Sequence, residues 1–240
     1  MSRIAILAAM PGEVNPLVRG WQIERSNGVT IWRWKHEEGE WVAACAGTGV
    51  AAATHAIAEI EKDGPVSFFI STGWAGSLRK EFKPGRVYNV SGVIDARTGE
   101  RYRVASGREG PWLVTSPVVA GEAEKRRLVS TYNADLVDME AAAVARLAAM
   151  RQIPFYCIKG ISDGFTDSLP DFNRFLSPKG RFLLGRFVLF ALVRPWYWPA
   201  LIRMHDNSKK AAQGIATLLL DFLDERGHIR ERNGYPNFKR

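Results

Sequence analysis

Three acidic side chains stand where apolar, strand-like runs give out: Glu13 in IAILAAMPGEV, Glu140 in VDMEAAAVA and Asp163 in FYCIKGISDG. Carboxyl groups held at such places can trade protons with a ligand. One that is partly desolvated gives a proton near neutral pH, and another orients or activates water. Each acid also has a plainer role open to it. Glu140 can cap a helix, where negative charge is favoured by about 0.3–1 kcal/mol, and Asp163 can form a turn with Gly164. Two glycine-rich segments accompany the acids. AGTGVAAATHAI (46–57) holds Gly47-x-Gly49-x-x-Ala52, the dinucleotide fingerprint in its Gly-to-Ala variant. That fingerprint expects an acid at the end of the next strand, and here that strand ends in Ser71 and Thr72. NAD-dependent chemistry is therefore disfavoured, while the turn can still receive another polar ligand. In STGWAGSL (71–78), small residues around Gly73 let backbone approach a ligand closely.

Elements of strand length must position these groups. Apolar runs recur at 4–10, 28–34, 41–47, 66–72, 85–95, 112–116, 134–140 and 155–162. Several are continuous rather than alternating, which fits strands covered on both faces. Helical patterns lie between them at 50–62, 120–131 and 140–151, with a long one at about 206–226. The alternation predicts an α/β three-layer single domain around a central mixed, mostly parallel sheet. Ligands of such sheets gather at the carboxyl ends of strands. Glu13, Gly47–Gly49, Ser71–Ser77, Glu140 and Asp163 all follow expected strands, so they can share one rim.

The 240 residues suffice for one well-buried core, and the domain is expected to span 1–228 with a loose tail at 229–240. Cys45 and Cys157 both sit inside apolar runs and read as reduced core thiols, which suits a cytoplasmic protein. There is no CxxC pair and no HExxH, and the four histidines are scattered, so no metal site is expected. The N-terminal apolar run is too short for a signal sequence and reads as a first strand. A net charge of +8 points to anionic partners. No interleaved basic and aromatic motif indicates nucleic acid.

IAILAAMPGEV, AGTGVAAATHAI, STGWAGSL, FKPGRV, VDMEAAAVA and PFYCIKGISDG stand in the order and approximate spacing of the nucleoside phosphorylase superfamily. Among its branches the chain most resembles the methylthioadenosine/S-adenosylhomocysteine nucleosidases, over residues 3 to about 175 and again from about 206. MEAAAVA and ISDG are the most specific parts. The resemblance implies that Asp163 is the general acid that protonates N7 of a purine leaving group. It implies that Glu13 activates water, and that Glu140 receives the ribose 2′ and 3′ hydroxyls. Met139, Met10 and Thr48 would line the sugar, Val119 and Ser162 would lie toward the base, and Trp74 and Gly73 would shape the pocket. The family's SGD before the base contacts reads Thr115-Ser116-Pro117 here. The implied ligand is a small-molecule nucleoside, and the implied assembly a homodimer or higher homo-oligomer.

The chemistry is coherent in its own terms. Breaking a ribosyl C–N bond builds positive charge on the sugar and negative charge on the base. An acid that protonates the base contributes about 10²–10⁴ in rate. A second carboxylate orients water on the opposite face of the sugar, as in glycoside hydrolysis. Phosphorylases of the family bind phosphate through arginines and a serine hydroxyl in the second glycine-rich loop. That serine position is Trp74 here, and the early loop offers Glu13, whose charge would repel phosphate. Both favour hydrolysis, with no cofactor. Trp74 departs from the nucleosidase pattern too, which carries serine there. Arg19, Arg79, Arg86 and Lys159 are the cations that would have to serve a phosphorylase. A non-catalytic nucleoside or lipid sensor, with Trp74 filling the pocket, is the binding-class alternative, but such a sensor has no need of a water-activating acid.

One stretch does not fit the family. SPKGRFLLGRFVLFALVRPWYWPALIRMHDN (177–207) intervenes before the last helix. Arg186, Arg194 and Pro195 interrupt its apolar run, so it does not span a membrane. On a helix Lys179, Arg186 and Arg194 fall within roughly one quadrant, and the other faces are assigned to Leu184, Phe187, Phe190 and Ala191. Pro195 and Pro199 are expected to end that helix. Three readings stand open: a core or dimer-interface helix, an interfacial helix over 181–204 at the inner membrane face, and a wall for a bulky apolar substituent. The insert resembles that of a hopanoid-associated branch acting on adenosylhopane.

Overall fold

The strand β5 (Phe68–Ser77) is the longest in the molecule and carries most of the arrangement. In this computed structural model residues 2–36, 39–167, 169–177 and 182–225 are described; Lys179 and the 229–240 tail fall outside them. The strands preceding β5 are β1 (Ser2–Ala8), β2 (Gln22–Ser26), β3 (Val29–His36) and β4 (Gly39–Cys45). Those following are β6 (Val87–Asn89), β7 (Gly92–Asp95), β8 (Arg101–Arg103), β9 (Trp112–Thr115), β10 (Leu136–Asp138) and β11 (Phe155–Asp163). The helices are α1 (Pro11–Val14), α2 (Val50–Glu61), α3 (Glu122–Tyr132), α4 (Ala141–Arg151), α5 (Leu184–Leu192) and α6 (Trp198–Glu225).

The strands join in the order β2-β3-β4-β1-β5-β10-β9-β7-β8, with β11 on the other side of β5 and β6 beyond it. Pairing is parallel through β4, β1, β5 and β11, and β10 meets β5 antiparallel at Leu136↔Ser77 and Val137↔Gly76. The expected mixed sheet with flanking helices is therefore present. Its middle strands are apolar on both faces because both are covered. On one face Leu7 and Phe69 pack with Ile57, Ile60 and Val144 of α2 and α4. On the other, Ile6, Ile70 and Ile158 pack with Ile215 and Leu219 of α6. Each such side chain, fully buried, contributes roughly 1.5–3 kcal/mol. The α6 packing is close: a Cβ on Gly160 of β11 would lie 2.7 Å from the Ala211 Cβ.

The structure differs from the sequence expectation in several places. β2 and β8 are added at the sheet edges. Their sequences, QIERS and RYR, are charged and largely exposed, so no apolar period marks them. The run 85–95 divides at Val90–Ser91 into β6, paired to β11, and β7, paired to β9. Ser71–Ser77 is not a loop beyond a strand; it is β5 itself. Pro199 does not end a helix. It lies in the first turn of α6, where its missing N–H costs nothing, and α6 accordingly begins at Trp198 rather than near residue 206. Cys45 and Cys157 are buried free thiols, as expected.

Candidate active site

The backbone of β5 holds the site's groups in sequence. Gly73, within β5, has φ +121°, a conformation that glycine alone adopts freely. A Cβ there would lie 2.7 Å from the Glu13 carboxyl carbon. Glu13 Oε1 accepts the Trp74 N–H at 2.8 Å, and Oε2 accepts the N–H groups of Ala9 at 2.7 Å and Met10 at 2.9 Å. Three donors from two elements thus fix the Glu13 carboxylate. Burial lifts its pKa above the ordinary value, against the lowering effect of the Trp74 and Met10 N–H groups and of Lys159. A buried carboxylate with a raised pKa is a stronger base toward water.

One residue back, the Thr72 carbonyl accepts from Lys159 Nζ at 3.2 Å. Lys159 is fully enclosed and pairs with Asp138 Oδ2 at 2.8 Å. Burial alone would lower the lysine pKa, but Asp138, with Cys157 and Glu140, holds it above its usual value. Asp138 also accepts from Thr115 Oγ1 at 2.7 Å and from the Ala141 N–H at 3.0 Å. It therefore binds the first turn of α4.

Glu140 is the residue before α4, yet its side chain makes no capping hydrogen bond. Its Oε1 instead accepts the Gly49 N–H at 2.7 Å, across from β4 and α2. Burial first, then the adjacent Asp138 and the Glu13 charge, lift its pKa to about 8 against Lys159 and the Gly49 N–H. Glu140 is thus turned into the molecule with a proton to share. The same bond occupies the N–H at the head of α2 that the glycine fingerprint would otherwise offer to a pyrophosphate.

Asp163 ends β11, in register with Gly76 of β5. Its Oδ1 accepts from Ser162 Oγ at 2.7 Å, and its Oδ2 from Lys125 Nζ of α3. Lys125 also donates to the Gly164 carbonyl at 2.7 Å. The turn at Gly164 is closed by Asp167, which accepts its N–H at 2.7 Å. Gly73 beside Glu13 and Gly76 beside Asp163 are three residues apart on β5, about 10 Å of strand.

The remaining expected residues fall as follows. Met10 and Thr48 line a cavity of about 250 Å³ together with Ala9, Gly47 and Phe182. The Met139 N–H lies 3.3 Å from Glu140 Oε2. Ser162 bonds Asp163 and, at 3.3 Å, the Ala75 carbonyl. The Val119 N–H and carbonyl are both taken by the Asn173 side chain, at 2.8 and 3.0 Å. The Trp74 indole is drawn toward α6, where its N–H donates to the Ser208 carbonyl at 3.0 Å. Of the cations weighed for phosphate, Arg79 pairs with Asp135 at 2.7 Å and with Asn133, at the end of β10 away from Glu140. Arg19 and Arg86 are exposed. Asp138 and Lys125 were not singled out by sequence. Asp138 looked like one more polar residue before MEAA, and Lys125 like one charge among many in EKRR.

The family model of the phosphorylase superfamily matches residues 3–107 and 97–177, and the chain belongs to that superfamily. The expected family and fold are thereby borne out. A 5′-methylthioadenosine/S-adenosylhomocysteine nucleosidase of Buchnera aphidicola is 26% identical over 196 residues, covering 67% of this chain and 78% of that protein. The nucleosidase of that name from Helicobacter pylori, solved with butyl-thio-DADMe-Immucillin-A, superposes with a TM-score of 0.67 at 19% identity, over 94% of this chain and 99% of that one. The futalosine hydrolase of Helicobacter pylori gives a TM-score of 0.68 at 19% identity, over 93% of this chain and 98% of that one. At such identities the solved structures establish the shared fold.

Proposed function

We propose that this chain is a purine-nucleoside N-ribosyl hydrolase that releases adenine from a 5′-modified adenosine. That it is an enzyme of N-glycosidic bond cleavage follows from its superfamily; water as nucleophile is the reading advanced here. The observation that carries it is the Glu13 carboxylate, fixed by the Ala9, Met10 and Trp74 N–H groups beside Gly73 of β5. A phosphorylase needs a cation or hydroxyl at this place, whereas a hydrolase needs a base. The names borne by the similar proteins, two nucleosidases and a hydrolase, agree with it.

In this mechanism Asp163 passes a proton to N7 as the C–N bond lengthens. Lys125 donates to the same carboxylate, so the proton is drawn from the Asp163–Lys125 pair. Glu13 accepts a proton from the water that attacks the sugar from the opposite face. Glu140 holds the ribose hydroxyls, as a carboxyl that both donates and accepts at neutral pH. Met10, Thr48 and Met139 bound the sugar, with Ser162 and Val119 toward the base. The direction of the Trp74 indole, toward α6, weighs against a sensor with a plugged pocket. The reading calls for no metal or cofactor, and takes the enzyme as a homodimer or larger assembly acting in the cytoplasm.

The finer proposal concerns the 5′ substituent. Phe182 lines the same cavity as Met10 and Thr48. A phenyl ring there suits an apolar group, and a lipid-linked ribose of the adenosylhopane kind is the specific substrate hypothesis. The test is adenine release from methylthioadenosine, adenosine and a long-chain 5′-alkyl adenosine in phosphate-free buffer. Highest kcat/KM on the alkyl compound is expected. Preference for methylthioadenosine would remove the bulky-substituent proposal while leaving hydrolysis intact, and release from none of the three would overturn the hydrolase reading.

A further inference from the structure

The family match ends at residue 177, and the segment that follows has no role in the site chemistry beyond Phe182. Its helix α5 buries no residue. Phe187 of α5 turns inward onto Phe172, Phe175 and Phe182, with ring centroids 5.3–5.5 Å apart, and Phe190 lies 5.1 Å from Phe175. The outward arc would ordinarily be polar. Here it is Leu184, Val188, Leu189 and Leu192, continued past the turn by Trp196 and Ile202, all between 45% and 68% exposed. Two bonds brace the hairpin so that this face is presented as a unit. The Trp198 indole N–H donates to the Ala191 carbonyl at 2.8 Å, and Arg194 lies over the Phe190 ring at 4.1 Å.

The charge of this stretch of sequence argues for one kind of occupant. From Phe172 to His205 the sequence carries Arg174, Lys179, Arg181, Arg186, Arg194 and Arg203, and no Asp or Glu. A second copy meeting this face symmetrically would double those cations against only Asp171 and Asp206 at the segment's borders, a net repulsive arrangement. An anionic bilayer surface supplies the opposite charge, and indole rings favour the headgroup level. No helix among the described residues is long and apolar enough to cross a membrane, so the contact is with the surface.

We infer that α5, the Pro195–Tyr197 turn and the start of α6 form a docking surface for an anionic lipid bilayer. The apolar arc enters the headgroup boundary and the arginines engage lipid phosphates. This inference is independent of the nucleosidase reading, because it concerns a face outside the acids.

The test is flotation of the whole chain with vesicles of phosphatidylcholine alone and of phosphatidylcholine with phosphatidylglycerol, at low and high salt. Binding to the anionic vesicles, weakened by salt, is expected. Arg186→Gln and Arg203→Gln should each weaken it about fivefold. Leu189→Glu with Leu192→Glu should abolish it, and because both side chains are exposed these variants should keep the parent circular dichroism and melting temperature. Equal binding of parent and variants, or no binding to either vesicle, would overturn the inference. So would a parent dimer that the Leu→Glu pair converts to monomer without any vesicle binding in the parent.

Discussion

Replacing Gly73 by Ala should disable the enzyme without removing any group that touches the substrate. The new Cβ would sit 2.7 Å from Glu13 Cδ and Oε1 and 2.8 Å from Oε2. Real Cβ atoms do not approach so closely, so the carboxylate must move away from the Ala9, Met10 and Trp74 N–H groups that hold it. The backbone cannot yield cheaply either, because φ of +121° is strained for alanine by about 1–3 kcal/mol. Loss of even one hydrogen bond to a buried carboxylate adds about 1.5–3 kcal/mol. Together these amount to about 2.5–6 kcal/mol of stability, with a fall in base release of about 10²-fold or more as the base leaves its place. Gly20→Ala is the comparison. Gly20 also has positive φ, +81°, but a Cβ there meets nothing within 4 Å, so it should show the strain alone and keep full turnover. Urea denaturation and adenine release, measured on both variants, separate the two effects. Parent-like turnover in folded Gly73→Ala would refute the argument that the position of Glu13 matters.

Asp163→Asn should fold and should lose about 10²–10⁴ in base release, checked by single-turnover assay beside circular dichroism. Lys159→Met should cost about 3–5 kcal/mol in denaturant, since it strands the Asp138 carboxylate in a closed environment. Glu140 has a pKa near 8 in the fold against an ordinary 4.5, so the folded protein binds its proton more tightly than the unfolded chain. That stabilisation is complete below about 4.5 and is lost as pH rises through about 8. Glu140→Gln should therefore flatten the stability–pH curve over this window. It should also remove the alkaline inflection of kcat/KM near 8 while leaving most activity at pH 6.

The sheet and the strands that end near Glu13, Glu140 and Asp163 were legible in sequence for a physical reason. Strands buried on both faces must be continuous apolar runs, and an acid at the end of such a run is conspicuous against them. What stayed hidden depends on partners distant in sequence. Glu140 reads as a helix cap until its carboxylate is seen to accept from Gly49 while Asp138 takes the Ala141 N–H, and Lys159 reads as a free cation until Asp138 is seen beside it. Lys125 is one of three consecutive basic residues, and only the fold shows which of them turns inward to Asp163. The segment 71–77 looked like a loop because glycine and serine are weak strand formers. Its regularity comes from β11, which pairs with it along nearly its whole length. β2 and β8 carried no apolar signal at all, because they are edges.

Hydrolysis by this site requires water to attack the sugar with Glu13 as its base. The measurement that meets this directly is the mass of the sugar product formed in ¹⁸O-labelled water with inorganic phosphate also present. One labelled oxygen on the free sugar, at a rate indifferent to phosphate, is the predicted result. A sugar phosphate carrying no label, formed only when phosphate is supplied, would contradict it.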